Sequence, residues 1–229
     1  MGSPTRPETE CLHHITSDSS PRVYSQKKTF RASERANEIY QEKRREYLSR
    51  LAKIPEENRV YVDEAGSNLA MTPAYAWAFS GMRAFDSKPA QRGSNISMIG
   101  ALKNSGMQAL YPYDGSIDAQ RFTDFIEHKL KPHLNNGDVI IMDNCRTHYA
   151  KLVTDKLKAL SIDTLFLPPY SPELNPIEES WSVIKTKLKR KKARNIPDYI
   201  DALLDAKKSI DNAMAEAFFK HAQSFQTFC

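Results

Sequence analysis

A chain of 229 residues, 40% apolar and 27% charged, has the makeup of an ordinary globular protein with material for one domain plus an extension. No apolar run approaches the roughly 20 residues that span a bilayer, and residues 1–20 lack the apolar centre of a secretory signal, which argues against membrane and exported classes. The net charge of +5 is mild, and Cys11, Cys145 and Cys229 form no C-x-x-C pair, so reduced thiols are expected rather than a disulfide framework or zinc ribbon.

In chain order, residues 1–30 read as a polar, disordered tail, and 31–57 as a linker built on a charged amphipathic helix. That helix is predicted over 33–54, with Ser33 as N-cap and Ala36, Ile39, Tyr40, Tyr47, Leu48, Leu51 and Ile54 at helical spacing. Strands are predicted at 59–63, 74–79 and 95–102 as a three-stranded meander, with a further extended piece at 107–113. A helix over 117–131 leads to a strand ending at Asp143, a helix over 150–160 and a short strand at 164–167. Pro168-Pro169 stop that strand, and Pro176 opens a helix to Lys192, followed by helices at 197–210 and 212–223. Strands first, then alternating helix and strand, predict one mixed α/β sheet covered by helices over 58–225.

Three acids stand out by position. Asp63 follows Val60-Tyr61-Val62 and Asp143 follows Val139-Ile140-Ile141-Met142, apolar runs of the kind that form buried strands with a ligand-binding carboxyl edge. The period-two alternation of a strand sends Asp63 and Glu64 to opposite faces, so one of them faces the site. Glu178 ends the run Pro168-Pro169-Tyr170-Ser171-Pro172-Glu173-Leu174-Asn175-Pro176-Ile177-Glu178 at the start of a helix. A capping box explains it structurally, with Asn175 as N-cap and Glu178 at the third helical position. Yet Ile177, Trp181, Ile184 and Leu188 form an apolar stripe that leaves Glu178, Ser182, Lys185 and Lys189 together on the neighbouring face.

Three converging carboxylates suit two Mg²⁺ ions about 3.5–4 Å apart, flanking a phosphodiester, with Mn²⁺ as a substitute. Asn144 and His148 are auxiliary candidates, and His148 reads equally as a group that orients water or phosphate and as a hydrogen-bonder at a helix start. Seven cations, Lys185, Lys187, Lys189, Arg190, Lys191, Lys192 and Arg194, fall within ten residues with no acid among them. That block suits a DNA backbone, against the simpler reading of a helix end favoured by the dipole. Trp77 and Trp181 are expected to pack in the core.

The segments Val62-Asp63-Glu64-Ala65-Gly66, Met142-Asp143-Asn144-Cys145-Arg146-Thr147-His148 and Pro168 to Glu178 resemble the DDE transposases of the mariner superfamily, most closely its bacterial insertion-sequence branch. The 34 residues between Asp143 and Glu178 resemble that superfamily's spacing, and Trp181 and Lys185 fall where its Asn-Pro-Ile-Glu-x-x-Trp-x-x-x-Lys signature has them. The resemblance implies a ribonuclease-H-like catalytic domain in which Asp63, Asp143 and Glu178 bind the metals. It implies that water cleaves at transposon ends and that the freed 3′-OH attacks target DNA, typically at TA. It further implies a synaptic homodimer and a cytoplasmic, nucleoid-associated bacterial setting. The family carries paired helix-turn-helix domains ahead of the catalytic part, whereas a polar tail and a linker-like helix precede Asp63 here. A truncated copy, a reading frame joined by frameshifting and an expressed fragment each account for that departure. The rival functions are a DNA-binding remnant that no longer cuts and another ribonuclease-H-like nuclease, an integrase or a junction resolvase.

Overall fold

The computed structural model describes residues 37–226. Helix α1 (Glu38–Leu51) is capped by Asn37, whose side chain accepts from the Ile39 amide at 3.0 Å. The expected cap Ser33 and the 1–30 tail lie outside the described residues. Five strands follow, β1 (Arg59–Asn68), β2 (Asn95–Lys103), β3 (Gly106–Asp114), β4 (Val139–Met142) and β5 (Asp163–Phe166). They form one sheet in the order β3-β2-β1-β4-β5, antiparallel through β3, β2 and β1 and parallel through β1, β4 and β5. The helices are α2 (Ala119–Phe125), α3 (Lys151–Ala159), α4 (Ile177–Lys191), α5 (Ile196–Lys208) and α6 (Asn212–Ser224). The chain beyond α2 continues through a π-turn, Ile126–Leu130, and a short 3-10 turn, Lys131–His133.

Alternation along the strands divides the interior in two. Tyr61, Ile141 and Leu165 pack with residues of α1, α4, α5 and α6, whereas Val60, Val62, Ile140 and Met142 pack with α2 and α3. Strand β4 is apolar on both faces because helices cover both, the usual state of a parallel strand. A buried ion pair pins the sheet's far end, with Lys103 Nζ 2.9 Å from Asp138 Oδ1, joining the end of β2 to the turn before β4.

The predicted strand at 74–79 does not form. Residues 69–94 contain no strand or helix, and Tyr75, Trp77, Phe79, Met82 and Phe85 are largely exposed, Trp77 completely. In the expected meander that stretch would lie between β1 and β2, but those two strands pair directly with each other. Trp77 is therefore a surface residue and not core. Strand β1 instead runs five residues beyond Asp63, held by β2 in register to Asn68 opposite Asn95.

Candidate active site

The sheet itself brings two of the acids together. Tyr61 lies opposite Ile141 across the parallel β1–β4 pair, so two residues further on, on the same face, Asp63 and Asp143 come level. Glu178 arrives from the start of α4, behind the Pro-rich turn. Asp63, Asp143 and Glu178 line one cavity of ≈ 420 Å³, with Asn144, Cys145, Asn175 and the 167–172 turn as its other walls. Glu64 points to the opposite side of the sheet, as alternation requires, toward His148.

Each acid has its own electrostatic setting. Burial drives the Asp63 carboxyl up from 3.8 to about 7; the Trp181 indole N–H, donating at 3.0 Å, works against this, and nearby Glu178 and Asp143 add to it. Glu178, at the exposed rim, is raised by desolvation and by Asp143, and Lys185 partly offsets this. Asp143 moves the other way, held down chiefly by His148, whose Nδ1 lies 2.9 Å from its Oδ1, and further by the Cys145 amide. His148 is buried and tilted against the Phe122 ring at 4.4 Å. Burial disfavours its charge, but the contacts to Asp143 and Glu64 outweigh burial and lift it from 6.5 to about 10. Its Nε2 is 3.4 Å from Glu64 Oε1, an ion pair whose geometry makes no hydrogen bond. His148 therefore neither caps a helix nor faces the cavity: it is an imidazolium clamped between two acids.

Among the described residues, no three His, Cys, Asp or Glu side chains stand close enough to form a ready-made metal cage. The acids surround a cavity with Asp143 turned to His148 and Asp63 to Trp181. The donor set nonetheless fits a hard divalent cation. It is made of oxygens, and two of its carboxylates, Asp63 and Glu178, are disfavoured as anions by burial first and then by acidic neighbours. The Asn175 carboxamide oxygen adds a buried acceptor with no hydrogen-bond partner. This last point corrects the capping box. Pro176 is the N-cap of α4, no side chain caps that helix, and Glu178 is its second residue.

Trp181 is buried as expected, but its contact with Asp63 was not anticipated. Gly100, opposite Asp63 on β2, makes the room for it: a Cβ there would lie 2.7 Å from Trp181 Cη2. Gly100→Ala is expected to displace the indole, cost about 1–3 kcal/mol by overpacking, and break the bond to Asp63. Urea denaturation together with Trp181 emission would check both effects.

Asn144 is pinned, accepting from the Tyr149 hydroxyl and donating to the Leu167 carbonyl. The basic block divides. Arg194 is spent on the fold, donating to the carbonyls of Leu69 at 2.8 Å and Met71 at 3.1 Å and to Thr72 Oγ1 at 2.9 Å. Lys191 pairs with Asp205 and Lys192 with Asp86. Lys189 and Arg190 are exposed, and Lys185 stays near Glu178, its charge lowering the acid.

Residues 58–200 match the family described as DDE superfamily endonuclease. The chain belongs to that family. Curated relatives of this DDE domain include two transposable-element transposases of Caenorhabditis briggsae. Tcb2 is 26% identical over 163 residues, 67% of this chain and 60% of its own length. Tcb1 is 24% identical over 176 residues, 71% of this chain and 63% of its own length. The DDE chain thus spans somewhat under two thirds of these relatives. Among solved structures, the Mos1 transposase paired-end complex with left transposon end matches with a TM-score of 0.72 at 17% identity, covering 89% of this chain and 65% of that one. The Mos1 mariner catalytic domain matches at 0.56 and 16% identity, covering 83% and 90%. The fold of this DDE domain is therefore ribonuclease-H-like, similar to that of the Mos1 catalytic domain. Mos1 paired-end complexes were solved with Mn and with Mg.

Proposed function

We propose that residues 58–225 form a transposase catalytic domain that cleaves DNA strands at transposon ends and transfers the 3′-OH into target DNA. The observation that carries this reading is the gathering of Asp63, Asp143 and Glu178 on one cavity, two of them with raised pKa values that a bound cation would lower again. The three acids would hold Mg²⁺ or Mn²⁺ as a pair of ions, with Asn175 as a further oxygen donor. The metals supply activation of the attacking oxygen and stabilisation of the leaving one. The chain's own residues do the rest. His148 keeps Asp143 ionised and oriented, Trp181 fixes one oxygen of Asp63, and Lys185, Lys189 and Arg190 approach the DNA backbone. The exposed Tyr75, Trp77, Phe79 and Phe85 support a homodimer, since such apolar surface commonly meets another chain. The proposed kinship with the bacterial insertion-sequence branch rests on the likeness of the Val62–Gly66, Met142–His148 and Pro168–Glu178 segments.

The test is incubation with Mg²⁺ and DNA carrying the element's inverted repeats, beside an Asp143→Asn variant. Nicking that needs metal and vanishes in the variant supports the enzyme. Binding without cleavage, even with a recognition module fused on, points to an inactive remnant, and cutting of branched junctions regardless of the repeats points to a resolvase. Salt gives a second check. If Lys185, Lys189 and Arg190 each neutralise one phosphate, raising salt from about 50 to 200 mM weakens binding roughly 40-fold, and Lys189→Ala with Arg190→Ala lowers the log–log slope by about two. An unchanged slope would remove this row from the DNA interface.

A further inference from the structure

Arg44 lies on α1, far from the acids in sequence, and it is 2% exposed. A guanidinium is buried at such cost that its partners indicate what it is for. It donates to Ser171 Oγ at 3.1 Å, to Glu173 Oε1 at 2.8 Å and to the Phe225 carbonyl at 2.9 Å. Two of these partners belong to the turn that delivers Glu178. From there the bonding continues along the backbone. The Ser171 carbonyl accepts from Leu174 at 3.1 Å, that of Pro172 from Asn175 at 3.0 Å, and that of Asn175 from Glu178 at 3.1 Å. A second brace comes from the same helix, where Tyr40 meets Tyr170 edge to face at 5.1 Å. Tyr170 holds a positive φ of 57°, a conformation that a non-glycine residue keeps only when its surroundings enforce it.

We infer that Arg44 is the positioning residue of the third acid: by clamping the 171–174 turn to α1, it sets where α4 begins and where Glu178 stands in the cavity. The inference rests on the reading of Glu178 as a metal-binding acid. Completion of the acid trio then depends on the docking of α1, a helix that contributes no acid to the cavity.

The experiment uses the full chain, with Arg44→Lys, which keeps the charge and loses the fork, and the milder Ser171→Ala. Two readouts are taken, amide hydrogen exchange and Mn²⁺ affinity by calorimetry, with Asp143→Asn as the metal control. Arg44→Lys is expected to speed exchange at least about tenfold across 168–179 while β1 and β4 keep their protection, and to weaken Mn²⁺ binding about 10–100-fold, the usual range for groups that orient metal ligands. Ser171→Ala should move both readouts the same way by less. Uniformly faster exchange with unchanged Mn²⁺ affinity would overturn the inference, leaving Arg44 a general stabiliser. If the natural chain binds Mn²⁺ no better than Asp143→Asn does, the metal reading fails, and the exchange pattern still decides whether Arg44 positions the turn.

Discussion

Asp63→Asn is expected to make the metal-free protein more stable while abolishing metal-dependent cleavage. The carboxyl of Asp63 is pushed from 3.8 to about 7, first by burial and then by its acidic neighbours, so the fold prefers it protonated. The sign follows directly. Between those two values the folded state binds the proton and the unfolded state does not, so stability falls as pH rises through that window and stays low above it. The loss is worth up to about 4 kcal/mol at pH 8. Asparagine removes the charge and keeps an oxygen for the Trp181 indole, so its melting temperature at pH 8 should exceed that of the natural chain by about 5 °C or more. Its profile between pH 4 and 7 should also lose the downward slope. Added Mg²⁺ should stabilise the natural chain and leave the variant unmoved. A variant that melts lower at pH 8, with the indole contact intact, would show that Asp63 does not carry this strain.

His148→Ala should have the opposite effect. The imidazolium joins Asp143 to Glu64 and packs on Phe122, and its removal leaves two acids without their cation beside a new void. His148 is buried but the Asp143 side chain is half exposed, so solvent screens the loss and it costs about 1–3 kcal/mol, less than for a fully buried pair. Because the folded value is raised to about 10, the contribution is complete below 6.5, the unfolded value, and is lost as pH climbs through 10. The gap in urea stability between natural chain and variant should therefore be widest at about pH 5 to 6.5 and narrow steadily toward pH 10 to 11, leaving only the packing on Phe122. A gap that does not depend on pH would mean that packing on Phe122, and not charge, is what His148 provides. Cleavage should drop about 10–100-fold in the folded variant because Asp143 loses the group that orients it.

The parts of this molecule that local pattern controls were legible in its sequence. The apolar runs before Asp63 and Asp143 become neighbouring strands, and Ile177, Trp181, Ile184 and Leu188 are all buried along α4. Both outcomes follow from periodicity and burial alone. What stayed hidden depends on partners remote in the chain. The 74–79 alternation looks like a strand until β1 and β2 are found to pair directly with each other, and Arg194 looks like a DNA contact until the Leu69 and Met71 carbonyls turn up beside it. Asn175 has every local credential of a cap, but the helix starts one residue late and leaves its carboxamide oxygen buried without a hydrogen-bond partner in the wall of the acids' cavity. Arg44 carried no signal beyond being a charge among charges on an amphipathic helix, because Ser171, Glu173 and Phe225, which it binds, lie more than 120 positions away.

The chain has two tryptophans, and they sit in opposite circumstances, Trp77 bare in solvent and Trp181 enclosed against Asp63. With Trp77 replaced by phenylalanine, the remaining tryptophan emission would come from a ring bonded to the carboxylate proposed to hold a cation. On the proposed reading, that ring is a built-in optical gauge of whether the carboxylate is occupied, readable in solution without label, DNA or turnover.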